Sequence, residues 1–123
     1  MFQIDRSSTV APYEQLRSQI IEAIAAGSLA VDTRLPTVRA LADELGTAAG
    51  TVARAYRELE EAGVVTTRGR QGTFVSAHGD ATEQAVQHAA AAFVAVVRSL
   101  HVSDEVAFDL VTRALKSSTP PAR

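Results

Sequence analysis

Apolar side chains first recur at helical spacing after Pro12, a residue that the first turn of a helix tolerates. The apolar face of this stretch consists of Leu16, Ile20, Ile21 and Ile24. Gly27 comes directly after it, and glycine commonly ends helices because it accepts the left-handed conformation. The pattern predicts a first amphipathic helix that begins at Pro12 and ends by Gly27.

Two shorter helices are predicted next, separated by a glycine. Thr37 follows Leu35-Pro36 and is a candidate N-cap for a helix whose apolar positions repeat as far as Leu45. Gly46 is placed to close that helix. The third helix is predicted over residues 49–62. Its inward positions are Val52, Ala55, Tyr56 and Leu59.

After Gly63 the pattern changes from helical spacing to that of β-strands. Residues 64–67 and 73–76 are alternating or β-branched stretches. Between them lies Arg68-Gly69-Arg70-Gln71-Gly72, which predicts a hairpin with a glycine-rich tip. Three helices followed by a hairpin are the elements of a winged helix-turn-helix, with the hairpin as the wing.

A polar hinge at residues 77–80 precedes two further helices, an alanine-rich one over residues 82–100 and a last one capped by Ser103 that runs to about Lys116. Their apolar stripe has no partner within so small a segment, so the simplest way to bury it is against a second copy of the chain. The predicted dimer contacts are Ala89, Phe93, Val96, Val97, Leu100, Phe108 and Leu110.

The predicted fold class is therefore mainly α with a small β-hairpin. It consists of a winged helix-turn-helix DNA-binding domain over residues 1–76 and a two-helix dimerisation segment over residues 77–119, which is also where an effector would bind. Residues 120–123, which begin at Pro120, are expected to form a disordered tail.

Charge first argues against a nucleic-acid partner, because the net charge is −2 and affinity for DNA comes from Lys and Arg that neutralise phosphates. The distribution answers the objection. Between Thr66 and Gly79 the only charged side chains are Arg68 and Arg70, so the hairpin tip is locally basic. Glycines beside these arginines let the backbone approach phosphates or enter the minor groove.

The helix-turn-helix itself places its second helix in the major groove, with a first turn slim enough to reach base edges. Residues 48–51 read Ala-Ala-Gly-Thr and meet that requirement. Arg54 and Arg57, further along this helix, are candidates for phosphate contact. They are also at the spacing of ion pairs with Glu58 and Glu61, and both interpretations stay open.

Four pieces of sequence, in order and spacing, resemble the GntR family of bacterial transcription regulators over about residues 11–76. They are Gly27-Ser28-Leu29, LPTVRALADELG at 35–46, TVARAYRELEEAGVV at 51–65 and RGRQGTFV at 68–75. The resemblance implies that Arg39, Thr51 and Gly69 contact DNA. The full set of predicted DNA-binding residues is Thr37, Arg39, Ala49, Gly50, Thr51, Arg54, Arg68, Gly69, Arg70 and Gly72.

The sequence departs from the family pattern at the positions that usually read bases. Ala48 and Ala49 replace polar or basic residues, and Gly50 stands where asparagine, arginine or threonine is usual. Direct base readout through this helix is therefore expected to be sparse. Arg39 and the wing at residues 68–72 become the principal candidates.

The short two-helix end resembles the YtrA-like subgroup of this family, and the resemblance implies a homodimer that controls a transporter operon. The expected function is a sequence-specific, palindrome-binding repressor whose partners are double-stranded DNA and a second copy of itself. A small-molecule effector is a weaker proposal. The alternative is a winged-helix module that binds protein without sequence-specific DNA binding, since one fold serves both purposes.

Other classes of protein find little support. The chain has no cysteine, and His78, His88 and His101 are too scattered for a metal pair, so no metal or cofactor is expected. No phosphate loop or nucleophile motif predicts an enzyme. The N-terminal segment lacks the apolar stretch of a signal peptide and no run of 18 apolar residues occurs, so the expected location is the bacterial cytoplasm, with no membrane partner.

Overall fold

The computed structural model describes residues 2–118, so the tail predicted at residues 120–123 lies outside the described residues. It confirms a mainly helical chain with one small hairpin. The elements of the described residues are α1 (Pro12–Ala25), α2 (Val38–Leu45), α3 (Ala49–Glu61), β1 (Val65–Thr67), β2 (Thr73–Val75), α4 (Ala81–Ser99) and α5 (Asp104–Ser117), with a 3-10 turn at Gly69–Gln71.

The ends of the first three helices follow their sequence signals. Pro12 opens α1, and the Thr37 Oγ1 atom accepts the Ala40 N–H at 3.1 Å as the N-cap of α2. Gly46 closes α2 with φ +65, a left-handed conformation that glycine adopts without a Cβ penalty. The connection from α2 to α3 is consequently three residues long, as a helix-turn-helix requires.

Helix α3 is the centre of the first unit of the chain, because it contacts α1, α2 and β1. Its predicted inward residues are all buried. The side chains with least exposure in this core are Leu16, Ile20, Leu41, Val52, Leu59, Val65 and Val75. One predicted core position is wrong: Ile21 is 44% exposed, so the buried face of α1 is narrower than its apolar pattern.

The hairpin pairs β1 and β2 antiparallel, with Val65 opposite Val75. Its tip is a turn of 3-10 helix, closed by the Arg68 N–H donating to the Gly72 carbonyl at 2.8 Å. The segment before α2 runs along the other edge of β2, where the Leu35 N–H donates to the Thr73 carbonyl at 2.8 Å. The wing is thus supported by an extended segment that no sequence pattern predicted.

An N-terminal arm lies along α1 and buries Phe2 in the same core. Gln19 accepts the Gln3 N–H at 3.0 Å and donates to the Gln3 carbonyl at 2.6 Å. Gln15 does the same for Asp5, at 2.8 and 3.0 Å. Two side-chain amides one helical turn apart therefore take the place of a neighbouring strand.

The contacts within the chain define two units, residues 1–88 and 89–123, and the division falls inside α4. The boundary predicted near residue 77 stays a prediction. In the second unit Ser103 caps α5 as expected, its Oγ accepting the Val106 N–H at 3.2 Å, and Ser117 belongs to the helix rather than to a tail. None of the helices within residues 2–118 is both long and apolar enough to span a membrane.

Replacing Tyr56 with Phe tests how α3 holds the start of α2. The Tyr56 hydroxyl donates to the Pro36 carbonyl at 2.7 Å, and burial raises the pKa of Tyr56 to about 12. Loss of this bond leaves the carbonyl without its donor, so Tyr56→Phe is expected to lower the free energy of unfolding by about 1 kcal/mol in urea titrations. An unchanged free energy, at an unchanged urea dependence, would contradict this role.

Candidate nucleic-acid interface

The first turn of α3 is exposed and nearly free of side-chain bulk. Ala48, Ala49 and Gly50 are exposed, and nothing lies within 4 Å of the place where a Cβ on Gly50 would be. Ala48 is the N-cap residue but has no side-chain oxygen to cap the helix. The turn therefore offers backbone N–H groups at the positive end of the helix dipole, an arrangement suited to a phosphate.

Thr37 and Arg39 lie at the start of α2 and have different roles in the structure. The hydroxyl of Thr37 is engaged in its helix cap. The exposed Arg39 side chain has no hydrogen bond or ion pair with any residue from 2 to 118. Of the two predicted contacts, Arg39 is the one whose charge is available to a ligand.

Arg54 is bound to other side chains of the protein, although its own side chain is 54% exposed. Its Nη2 donates to the Tyr13 hydroxyl at 3.0 Å, its Nε pairs with Glu58 at 3.3 Å, and its guanidinium lies 3.7 Å from the centroid of the Tyr13 ring. Glu58 also pairs with Arg17. Partial desolvation raises the pKa of Glu58, but the hydrogen bonds from Arg17 and Arg54 outweigh it and leave that pKa below its usual value.

The ion-pair interpretation therefore holds for Arg54, whereas Arg57 makes no ion pair with Glu61 within the described residues. Arg57 is exposed on α3. The sequence could not separate these two arginines, because both have a glutamate four residues further along. The difference comes from Tyr13, which lies far away in sequence and fixes Arg54 against α1.

The two arginines of the wing also differ. Arg68 pairs with Asp32 at 2.6 Å, and its guanidinium lies 4.3 Å from the centroid of the Phe74 ring. Arg70, in the 3-10 turn of the tip, is exposed and has no polar partner within residues 2–118. In this structure the wing presents Arg70 outward and holds Arg68 against the protein.

Sequence reasoning missed Arg34, which lies in the extended segment beside the wing. The backbone of Arg34 forms an antiparallel β-bridge with Phe74 of β2. Its side chain lies over Gly72, where a Cβ would be 2.9 Å from the Arg34 Nε. No periodic pattern marks this position. The only signal in the sequence was the glycine at position 72, whose missing side chain makes room for the guanidinium.

Guanidinium groups without a polar partner are confined to one part of the chain. Arg6, Arg17, Arg54, Arg68, Arg98 and Arg113 are all bonded to protein oxygen atoms. Within residues 2–118, the arginines without such a bond are Arg34, Arg39, Arg57 and Arg70. All four lie between the start of the extended segment and the tip of the wing.

The predicted dimer residues are mostly exposed in the single chain. Val96, Leu100, Phe108 and Leu110 are 47–76% exposed, Phe93 is 38% exposed, and Ala89 is also exposed. Val97 is the exception, because it is only 6% exposed and lines an apolar cavity of about 270 Å³ between α4 and α5. In the single chain Val97 contributes to the packing of these helices, and its place in a dimer interface stays a prediction.

The sequence profile of the gntR family of bacterial regulatory proteins matches residues 12–75. The chain belongs to this family. The match covers α1, the helix-turn-helix and the wing, and it includes all four of the unpaired arginines. The family resemblance read from the sequence is thereby confirmed.

Two relatives extend the similarity beyond the winged helix. The chain is 52% identical to the HTH-type transcriptional regulator Rv1152 of Mycobacterium tuberculosis over 100 residues, which cover 81% of this chain and 82% of that protein. It is 37% identical to the HTH-type transcriptional repressor YtrA of Bacillus subtilis over 82 residues, 67% of this chain and 63% of the relative. The similarity to YtrA confirms the predicted subgroup. These relatives are transcription regulators and not enzymes, in agreement with the sequence-based prediction.

A solved structure of a related domain holds DNA. The AraR DNA-binding domain in complex with operator ORE1 is 27% identical to this chain, with a TM-score of 0.53 over 62% of this chain and 95% of the AraR chain. As a member of this family, the protein is a DNA-binding transcription regulator.

Substituting the wing glycines tests the backbone of the tip. Gly72 has φ +114 and ψ −161, a region accessible essentially to glycine alone, and a Cβ there would also meet Arg34. Gly72→Ala is expected to cost about 1–3 kcal/mol of unfolding free energy. The matched variant Gly69→Ala, at φ +53 with nothing within 4 Å of its Cβ, should cost less, about 1 kcal/mol. Equal losses in urea titrations would contradict the assigned constraint.

Proposed function

We propose that the protein binds a palindromic operator as a homodimer and represses transcription. The observation that carries this proposal is that the arginines of residues 2–118 without a polar partner, Arg34, Arg39, Arg57 and Arg70, all belong to the winged helix, which also has an uncapped and slim first turn of α3. Guanidinium groups without a polar partner can neutralise phosphates without first breaking an ion pair within the protein.

In this mechanism the first turn of α3 enters the major groove, where backbone N–H groups and Thr51 meet the DNA. Arg39 binds from the start of α2, and the wing places Arg70 at the neighbouring phosphates or in the minor groove. Gly69 and Gly72 keep the tip free of side chains that would hold it away from DNA. Since residues 48–50 carry little side chain, much of the specificity comes from the width and deformability of the site.

The homodimer is supported by the exposed apolar residues of α4 and α5. Leu100 and Phe108 are 67% and 76% exposed. In a monomer these apolar side chains would remain in contact with water. A two-fold dimer would present its recognition helices to half-sites about one helical turn apart. Operator palindromy follows from that symmetry.

Repression is supported by the similarity to the repressor YtrA, and physically by exclusion, since a dimer covering two half-sites blocks polymerase from the same DNA. We further propose a place in the bacterial cytoplasm, where the DNA lies, and a transporter operon as the regulated unit. A small effector would bind in the two-helix part, where the cavity between α4 and α5 is lined by Phe93, Phe108 and Val111.

Removing Arg39 or Arg70 tests the DNA surface. In gel-shift titrations at two salt concentrations, Arg39→Ala and Arg70→Ala should each weaken binding about tenfold and reduce the salt slope by about 0.9, the share of one phosphate contact. Arg113→Ala removes the same charge from α5 and should change neither quantity. A wild-type affinity that does not respond to salt would instead favour a protein-binding winged helix.

Introducing a charge on the exposed apolar face tests the dimer. Phe108→Glu places a carboxylate where a partner chain would remove it from water, so sedimentation equilibrium should show mostly monomer. Lys116→Glu, on the same helix at a polar position, makes a larger charge change and should remain dimeric. If Phe108→Glu sediments like wild type, the interface lies elsewhere.

A further inference from the structure

The carboxylate of Asp32 connects two elements that are far apart in sequence. Its Oδ1 accepts from the Arg68 Nη2 at 2.6 Å, at the end of the first wing strand, and its Oδ2 lies 2.8 Å from the Nδ1 of His88 on α4. Because a carboxylate only accepts, the imidazole Nδ1 carries the hydrogen in this contact. One acidic side chain is thus shared between the wing and the helix that continues into the second unit.

The backbone fixes where this carboxylate stands. Asp32 has φ +67, a left-handed conformation in which Asp is tolerated better than most residues. Its N–H donates to the Val75 carbonyl of β2 at 2.9 Å. The side chain of Asp32 is only 24% exposed. These features fix the position of the Asp32 carboxylate, whereas the side chains of its partners Arg68 and His88 are 39% and 50% exposed.

Arg68 is enclosed on two sides by this arrangement. Asp32 binds its guanidinium edge, and Phe74 lies against its face. The hydrogen bond from His88 is the largest influence on the pKa of Asp32 and lowers it, partial desolvation opposes that shift, and Arg68 lowers the pKa further. Asp32 is therefore ionised at neutral pH and neutralises an arginine that would otherwise add to the charge of the wing.

We propose that Asp32 is a positioning residue for DNA binding: it keeps Arg68 from the phosphates and, through His88, makes the availability of Arg68 depend on α4. This inference rests on the proposed DNA-binding function and adds regulation of one side chain, Arg68, on the same surface. While His88 binds one oxygen, the carboxylate is shared between two donors and holds Arg68 less tightly. When α4 moves away, Asp32 is left to Arg68 alone and retains it.

The groups that face His88 are few. Asp32 is its polar partner within residues 2–118, and Arg68 is the cation on the other oxygen of that carboxylate. On α4 the positions one turn away carry no charge; they are Gln84, Ala85, Ala91 and Ala92. The contact of His88 is therefore with Asp32.

The test is fluorescence anisotropy of a mixed-sequence DNA duplex of about three helical turns, titrated with the full chain across a salt series. Asp32→Asn keeps the left-handed backbone and removes the charge, so the released Arg68 should steepen the slope of log K against log salt by about 0.9. Asp80→Asn removes the same charge at the start of α4 and retains an N-cap residue, and should leave the slope unchanged.

A double variant shows whether Asp32 acts through Arg68. In an Arg68→Gln background, Asp32→Asn should no longer steepen the slope, because the two residues are coupled. If Asp32→Asn steepens the slope equally with and without Arg68, or not at all, the proposal is overturned. If wild type itself shows no salt-dependent binding, the proposed function fails before this inference is reached.

Removing His88 tests its part in the contact. His88→Ala takes away the donor on the second oxygen of Asp32, so Asp32 is left to Arg68 alone and the slope of log K against log salt should become shallower. His78→Ala removes a histidine side chain that has no hydrogen bond to Asp32 among residues 2–118 and should leave the slope unchanged. Equal slopes for wild type and His88→Ala would overturn the role of His88.

Discussion

The burial of one face of α3 is the constraint on which the rest of the winged helix depends. Val52 and Leu59 are fully enclosed because α1, α2 and β1 all pack against this helix. A helix held on so many sides has little freedom to tilt or slide. Its uncovered first turn, Ala49 to Thr51, is therefore held in a fixed direction. Because this turn has few side chains that could reach toward DNA, it depends on that fixed backbone position.

The arginines of the described residues divide into two groups according to whether they have a polar partner. Six of them are used inside the protein, where they bond to carbonyl or carboxylate oxygen atoms, and the arginines left without a polar partner in residues 2–118 fall within positions 34–70. A chain with net charge −2 can still hold guanidinium groups ready for a ligand, because the other arginines of residues 2–118, and not these four, take up oxygen partners within the protein. Net charge was thus a poor guide, and the distribution of ion pairs was the informative quantity.

Helix ends, strands and most of the core were predictable because they depend on local signals such as Pro12, Thr37 and Gly46. The state of each arginine was not, since it depends on partners distant in sequence: Tyr13 for Arg54 and Asp32 for Arg68. Arg34 had no periodic signal at all. The family resemblance pointed to Arg39, Thr51 and Gly69, but which side chains are free to act follows only from tertiary contacts.

The attachment of the N-terminal arm has a further consequence. Gln15 and Gln19 hold it through neutral amides, and Phe2 holds it through apolar contact, so neither hold weakens when ions screen charge or when acids and bases titrate. The arginines proposed to contact DNA act through charge by comparison. The arm and these DNA contacts therefore depend on different kinds of force, and a rise in salt can strip the protein from DNA while leaving the arm in place on α1.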